Sequence, residues 1–436
     1  MSAPAAGDVQ TDRTVDVVVV GHDEAAFAAV DELRRRGAEV VLADDRQVQV
    51  WAVTPLDEGD PDSTGDRDRV GMVVDLAVDG LPSNTIGCRA VVSALSEYGT
   101  IPLVPGGEHA DEPGEPLDDD VLLVGGHLGA TEEALRHGTP REVWLPFGRA
   151  ALLRHLLRAP ALLRIGALPA VRLLVTLRRR GVRVRFGTAL AALERAGDAL
   201  RAHPRGVGVD GALTVRRVIV ADSRIPPSEL ARSVGARSTW DAVLGGWVVV
   251  NDAPLLSVVA AGAAAGVRGP AGLAAHGVLV ADEIAALIGL GGGPASGRRT
   301  ALRRAVRRGR QLARWQAGIA GRTPLPGAGA SADTIVCACE GVTLGDLEAI
   351  VPLLPDPPTP RDVKSVTRAG MGLCQGRRCA AAVTAWAQRC GRVSTDVLDA
   401  GLRPRLPLAP LVLRPPAPSR AHSADAEPPG NDRSFE

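Results

Sequence analysis

Four cysteines carry the most specific chemical signal in the chain. Cys337-Ala338-Cys339 is followed by thirty-four residues, then Cys374 and, four residues on, Cys379. Two close pairs of thiolates are what a [2Fe–2S] centre needs, with two sulfurs for each iron. Ligands adjacent in sequence reach one iron at little loop-closure cost. The second pair lies in Ala369-Gly370-Met371-Gly372-Leu373-Cys374-Gln375-Gly376-Arg377-Arg378-Cys379. Its glycines let the backbone approach a cluster and turn amides toward the sulfides. Arg377 and Arg378 would offset the negative charge of such a cluster and raise its potential. The alternatives are a tetrahedral zinc site, which more often shows C-x-x-C pairs, and buried inert thiols. Cys390 lies outside the paired spacing, and Cys88 reads as a core residue. No H-E-x-x-H, G-x-S-x-G or His/Cys set is present, and Tyr98, the only tyrosine, reads as a core or rim residue.

The elements that must position these residues follow from hydrophobic patterning. Val15 to Val20 is an apolar run ending at Gly21; a helical pattern with Ala25, Ala28, Ala29 and Leu33 follows, and Glu39 to Leu42 is a second short strand closed by Asp44 and Asp45. Strand, turn, helix, strand, acid is the order of a dinucleotide-binding βαβ unit. Arg89 to Leu95 reads as another buried strand. Val121 to Val124 opens a second strand–turn–helix unit, running into Gly125, Gly126 and Gly129. Leu152 to Arg180 is helical with breaks at Pro160 and Pro169, and Val182–Phe186, Leu213–Val220 and Gly246–Val250 are strand-like. Ala271 to Ile288 is a helix. Arg298 to Arg314 is a second one with eight arginines, docked through Leu302, Val306 and Leu312. A Pro/Gly/Ala linker at 321–332 precedes the cysteine module, and the Pro- and acid-rich end reads as disordered.

Asp333 to Thr343, Lys364 to Gly372 and the Cys374–Cys379 segment together resemble the [2Fe–2S] domain related to bacterioferritin-associated ferredoxin. The C-x4-C version is similar to that of the FAD/NAD-binding subunits of opine oxidase, D-hydroxyproline dehydrogenase and hydrogen cyanide synthase, relatives of the sarcosine oxidase alpha subunit. The resemblance implies an α/β chain: a FAD/NAD(P)-binding Rossmann-like fold with an inserted second Rossmann-like unit and a small helical [2Fe–2S] domain at the C-terminus. The expected domains are 14–110 with 210–290 (FAD-like), 120–209 (inserted, NAD-like), 291–332 (helical linker), 333–400 (cluster domain) and 401–436 (extended tail). It implies Cys337, Cys339, Cys374 and Cys379 as ligands, and a partner flavoprotein resembling amine oxidases in a hetero-oligomer.

The nucleotide motifs depart from that family. A dinucleotide turn needs G-x-G-x-x-G so that backbone approaches the pyrophosphate. Here it reads Gly21-His22-Asp23-Glu24-Ala25-Ala26. Asp23 puts a negative charge where a diphosphate rests, and like charges about 4 Å apart cost roughly 4 kcal/mol at an effective dielectric of about 20. Ala263 stands where the family carries an acid for the flavin ribityl chain, a loss of about 1.5–3 kcal/mol. Gly21 and Asp45 remain as a vestigial FAD site, Asp45 at the adenosine-ribose position. The inserted unit reads Gly125-Gly126-His127-Leu128-Gly129-Ala130 and its next strand ends in Pro146-Phe147 without an acid. Tight FAD or NAD(P) binding is therefore not expected.

The chain has 436 residues, 45% hydrophobic and 23% charged, with zero formal net charge. That is globular composition and excludes a global attraction to nucleic acid. The first fourteen residues lack an apolar signal core, and no run of eighteen apolar residues occurs. A cytoplasmic chain without membrane or nucleic-acid partners is expected, where clustered cysteines indicate metal rather than disulfides. Together with the retained cysteines, the resemblance implies a [2Fe–2S] electron-transfer and assembly subunit of a hetero-oligomeric flavin-dependent amine or imino-acid dehydrogenase or oxidase. An active FAD/NAD(P)-dependent oxidoreductase and an iron–sulfur sensor are the alternatives.

Overall fold

The computed structural model describes residues 13–44, 48–55, 72–78, 81–95, 108–109, 120–125, 138–157, 168–206, 211–220, 224–251, 258–291, 296–320, 332–354, 359–389 and 404. Asp45, Tyr98, the Gly126–Ala130 turn, Cys390, the linker from 321 to 331 and the tail apart from Pro404 lie outside them.

The first unit opens with β1 (Arg13–Gly21), α1 (Glu24–Arg35), β2 (Val40–Ala43), β3 (Val48–Pro55), β4 (Met72–Val78) and β5 (Leu81–Ala94). β1 is buried on both faces from Val17 onward, as a strand inside a parallel sheet should be. It pairs in parallel with β2 and β5, while β3 and β4 add antiparallel strands beyond β5. α1 turns Ala25, Ala26, Ala29, Val30 and Leu33 inward, with Glu24 in its first turn and Arg34 and Arg35 in its last, the arrangement its dipole favours.

The inserted unit contains β6 (Glu108–His109), β7 (Val121–Val124), β8 (Glu142–Leu145), α2 (Arg149–Leu157), α3 (Leu168–Arg179) and β9 (Arg183–Phe186). A three-stranded antiparallel ribbon follows: β10 (Ala189–Ala196), β11 (Ala199–Arg205) and β12 (Leu213–Val215). β13 (Arg217–Val220) then returns to pair in parallel with β7 and β6, giving the order β6-β13-β7-β8-β9. The expected boundary at 209/210 falls ahead of this strand. β13 stands between two strands of the inserted sheet, and Val218 is fully buried with Leu122 and Trp144.

The chain next forms α4 (Glu229–Ser233), the hairpin β14 (Ser238–Asp241) with β15 (Gly246–Val249), and β16 (Val258–Ala260), which completes the first sheet beside β5. α5 (Pro270–Leu287) crosses α1, and a Cβ at Gly277 would lie 2.2 Å from the Ala25 carbonyl oxygen. By length and composition α5 is the one helix among the described residues that reaches the threshold for crossing a bilayer, yet more than half of it is buried within the protein. α6 (Ser296–Ala320) is the basic helix. Its Val306 packs with Val267 and Ala275, and its Leu312 and Trp315 enter the core of the inserted unit with Val121 and Leu123. The apolar stripe predicted for this helix thus ties the two units together.

The C-terminal module comprises β17 (Ile335–Cys337), β18 (Val342–Thr343), α7 (Leu344–Ala349), α8 (Pro360–Thr367) and α9 (Ala380–Arg389). α7 and α8 each begin with a capping box, Thr343 with Asp346 and Thr359 with Asp362, which satisfies helix N–H groups in so short a module. Its core gathers Val336, Leu347, Val363, Val383 and Trp386, and admits Trp247 from β15.

Candidate metal centre and nucleotide cleft

Cys337 ends β17 and Cys339 sits in the following turn, which closes at Gly341 with φ of 65°. Cys374 and Cys379 lie in the loop between α8 and α9. That loop contains four left-handed residues: Arg368 (φ 65°), Gly370 (φ 84°), Gln375 (φ 52°) and Gly376 (φ 81°). Two of them are not glycine, a strained conformation that surrounding structure must hold at about 1–3 kcal/mol each. A Cβ at Gly372 would lie 2.4 Å from the Cys339 Cβ, so only glycine lets the loop close over the first cysteine turn. Glu340 Oε2 accepts a hydrogen bond from Arg368 Nε at 2.8 Å and joins the two segments at the surface.

The structure brings all four predicted sulfurs together, although thirty-four residues separate the two pairs. Cys337 and Cys379 are each 1% exposed, whereas Cys339 is exposed and Cys374 half-buried. The contacts run across the segments, Cys337 with Cys379 and Cys339 with Cys374. A hydrogen bond from the Cys379 thiol lowers Cys337 to about 6 against the opposing effect of burial, helped by backbone N–H groups of Gly370, Glu340 and Cys339. Cys379 is pushed well above the ordinary thiol value by that same pairing, then by burial and the charges of the other three sulfurs. Cys339 is raised by partial burial and by Cys374 and Cys337. Neighbouring sulfurs hold Cys339 and Cys379 back from ionising while backbone N–H groups are aimed at Cys337, and a cationic iron–sulfur core would remove that penalty. Among the described residues no three His, Cys, Asp or Glu side chains converge on a single-ion position.

The nucleotide cleft of the first unit has a different character. Gly21 packs against β5 so closely that a Cβ would stand 2.0 Å from the Ala94 carbonyl oxygen. Asp23 caps α1: its Oδ1 accepts from Ala25 N at 2.9 Å and Ala26 N at 3.0 Å. Those are the helix N-terminal groups that a diphosphate would take in such a fold. Burial raises the Asp23 carboxyl to about 6, against the lowering effect of those two hydrogen bonds. Ala263 is buried in the turn Gly262–Ala265, where Gly262 N donates to His276 Nδ1 at 2.9 Å. Burial holds His276 near 4, so its imidazole is neutral and Nδ1 accepts. In the inserted unit Phe147 packs edge-on against Phe186 at 6.5 Å, and Arg149 lies 5.2 Å over the Phe186 ring.

Three residues near the cysteines carried no signal in their local sequence. Trp247 lies in the same apolar core as Cys337 and Cys379. Arg232, 2% exposed, stacks its guanidinium 3.9 Å from the Trp247 ring centre. Glu229 is buried one turn earlier on α4. Their importance comes from a junction between distant segments, which periodicity does not show. Asp23 had a readable signal: an Asp immediately before an apolar-periodic run is an N-cap.

Comparison with known proteins agrees with the C-terminal geometry. Residues 335–387 match the family described as BFD-like [2Fe-2S] binding domain. The chain is 33% identical over 256 residues to the A subunit of opine oxidase from Rhizobium meliloti (strain 1021), covering 56% of this chain and 53% of that one. It is 44% identical over 84 residues to hydrogen cyanide synthase subunit HcnB of Pseudomonas aeruginosa, 19% of this chain and 17% of that one. The chain spans about half the length of the opine oxidase subunits it matches first. The solved structure of L-proline dehydrogenase from P. horikoshii superposes with a TM-score of 0.61 at 16% identity, over 93% of this chain and 80% of that one. That likeness establishes the fold, an α/β arrangement shared with an oxidoreductase. The chain is therefore similar, over part of its length, to HcnB and to the opine oxidase A subunits, and its residues 335–387 match the BFD-like [2Fe-2S] binding domain.

Proposed function

We propose that Cys337, Cys339, Cys374 and Cys379 hold a [2Fe–2S] cluster, and that the chain is an electron-transfer and assembly subunit. Its partner would be an amine-oxidase-like flavoprotein that oxidises an amine or imino acid in a cytoplasmic hetero-oligomer. When bound, the cluster supplies one-electron transfer. The observation that carries the reading is the closure of the Gly372 loop over the Cys339 turn, which gathers two distant cysteine pairs. The names of the relatives, both subunits of larger enzymes, support a hetero-oligomer.

This chain's residues divide the work. Cys337 and Cys379, which share a buried core with Trp247, would hold the cluster from the protein interior. Cys339 and Cys374 hold the outer side, beside Leu373, which is 71% exposed, and Met371. That outer side is where a partner's redox group would come within reach. Asp23 occupies the diphosphate position of the first unit and Ala263 leaves no carboxylate for a ribityl chain. The FAD site is accordingly degenerate, and the reaction on substrate belongs to the partner.

Expression of the chain alone tests the reading. Iron and acid-labile sulfide at two each per chain, with an iron–sulfur absorbance and no stoichiometric flavin, are expected. One tightly bound FAD per chain would overturn the degeneracy of the site, and zinc in place of iron would overturn the cluster. Co-purification with a flavoprotein oxidising amines or imino acids is the expected outcome for the partner. A chain that purifies alone from its native source, with the cluster intact, would favour a sensor.

A further inference from the structure

Between the first unit and the cysteine loop lies a narrow seam. Glu229 and Arg232 reach it from α4, Trp247 from β15, Gln375 and Arg377 from the loop, and Pro404 from the chain beyond α9. The space left between them is about 10 Å³, room for one water at most. Glu229 is 4% exposed and Arg232 2%. Arg377 lies between two of the cysteines in sequence, and its charge acts on Glu229 together with that of Arg232. The other contributors to the seam, Trp247 and Gln375, are neutral, and β16, which packs on α4, presents Val258, Val259 and Ala260. A carboxyl here faces two guanidiniums that keep their protons at all accessible pH. Glu229 is thus the group in this seam that can gain or lose a proton.

We infer that Glu229 is the proton partner of the cluster: when one electron enters the iron–sulfur centre, one proton from solvent joins the Glu229 carboxylate, and Arg377 couples the two events. The inference rests on the four cysteines being the cluster ligands. Its physical basis is charge compensation. An added electron next to the loop makes a second negative charge in a poorly solvated seam costly. Arg377 acts on Glu229 through its charge and stands two residues before the ligand Cys379, so it lies between the two charges that change. Burial already places the Glu229 carboxyl at about 7, against the opposing pull of Arg377 and Arg232. A small further push therefore changes its protonation near neutrality. The charges balance: one electron from a one-electron donor, dithionite in the test, and one proton from solvent.

The test is the midpoint potential of the intact, cluster-loaded chain, followed by EPR in a mediated dithionite titration at several pH values from 5.5 to 8.5. The wild-type potential should fall as pH rises through 7. Its slope should be steepest just above pH 7 and bounded by about 59 mV per tenfold change in proton activity, the limit for one proton per electron. Glu229→Gln should flatten the slope with iron and sulfide unchanged, and Glu229→Asp should restore part of it. A flat wild-type profile with full iron content, or an unchanged slope in Glu229→Gln, would overturn the inference. Should Glu229→Gln not fold, the wild-type profile beside that of Arg377→Met decides: the slope should shrink when the coupling guanidinium is gone, and an unaltered slope contradicts the coupling. Failure of the underlying reading looks different, because a wild-type chain without iron and sulfide removes the cluster itself.

Discussion

Asp23 sits where a dinucleotide-binding turn needs glycine, and its carboxylate already holds the Ala25 and Ala26 N–H groups. Two consequences follow at this one position. Asp23→Gly removes a repulsion of roughly 4 kcal/mol, so FAD affinity should rise by up to about a thousandfold at ~1.4 kcal/mol per decade. Titration calorimetry with FAD measures this, and no gain would mean that something other than this charge closes the cleft. The second concerns pH. Burial raises Asp23 from 3.8 to about 6 in the fold, so between these values the unfolded chain releases a proton that the folded chain keeps. The group's contribution to stability is full below about pH 4 and is lost as pH rises toward 6. Asp23→Asn keeps a capping oxygen and should flatten that part of the profile, as urea midpoints at pH 4.5 and 7 would show. The sequence shows Asp23 as a misplaced charge, and the helix that starts at Glu24 shows it as a cap. The proximity of Gly262 to Asp23 was not legible, because the two lie roughly 240 residues apart in the chain.

Helices α1, α5 and α6 are locked by a partly buried ion-pair network. Arg36 donates to Asp282 at 2.7 Å and to Glu32 at 3.1 Å; Arg299 also pairs with Asp282, and Arg298 with Glu32. Removing one partner of a buried pair leaves an uncompensated charge, at about 3–5 kcal/mol. Asp282→Ala should fall near the lower value, since Glu32 still faces Arg36. It should lower the melting temperature, and equal stability to wild type would mean that the network contributes nothing. Gly277→Ala should cost about 3 kcal/mol or more, because its Cβ meets the Ala25 backbone and helices cannot yield as side chains do. The existence of these helices, and the apolar stripe of α6, follow from 3.6-residue periodicity in the sequence. Their ion-pair partners do not, since Arg36 and Asp282 are 246 residues apart and any of the eight arginines on α6 would read alike.

The molecule as a whole is two α/β units and a small cysteine module joined at Trp247 and at α6. Trp247→Ala should cost about 3–5 kcal/mol and lower cluster retention, because the ring fills the core that contains Cys337 and Cys379. An equally stable variant with full iron would show that the module holds itself together. The first strand–helix–strand, Val121–Val124, Arg183–Phe186 and the two long helices were readable from apolar runs and glycine punctuation, and the cysteine pairs from spacing, whereas Met72–Val78 and the ribbon of β10 and β11 were not read. The place of β13 was not, since its four residues, Arg217–Val220, are apolar enough for either sheet and only pairing with β7 decides. Nor was the seam at Glu229, which exists only once three distant segments meet. All of this hangs on the four sulfurs. Cys337→Ser, Cys339→Ser, Cys374→Ser and Cys379→Ser, made one at a time, should each lower iron and sulfide content and remove or reshape the EPR signal of the reduced protein. Wild-type iron content with an unaltered signal in those variants would contradict the assignment.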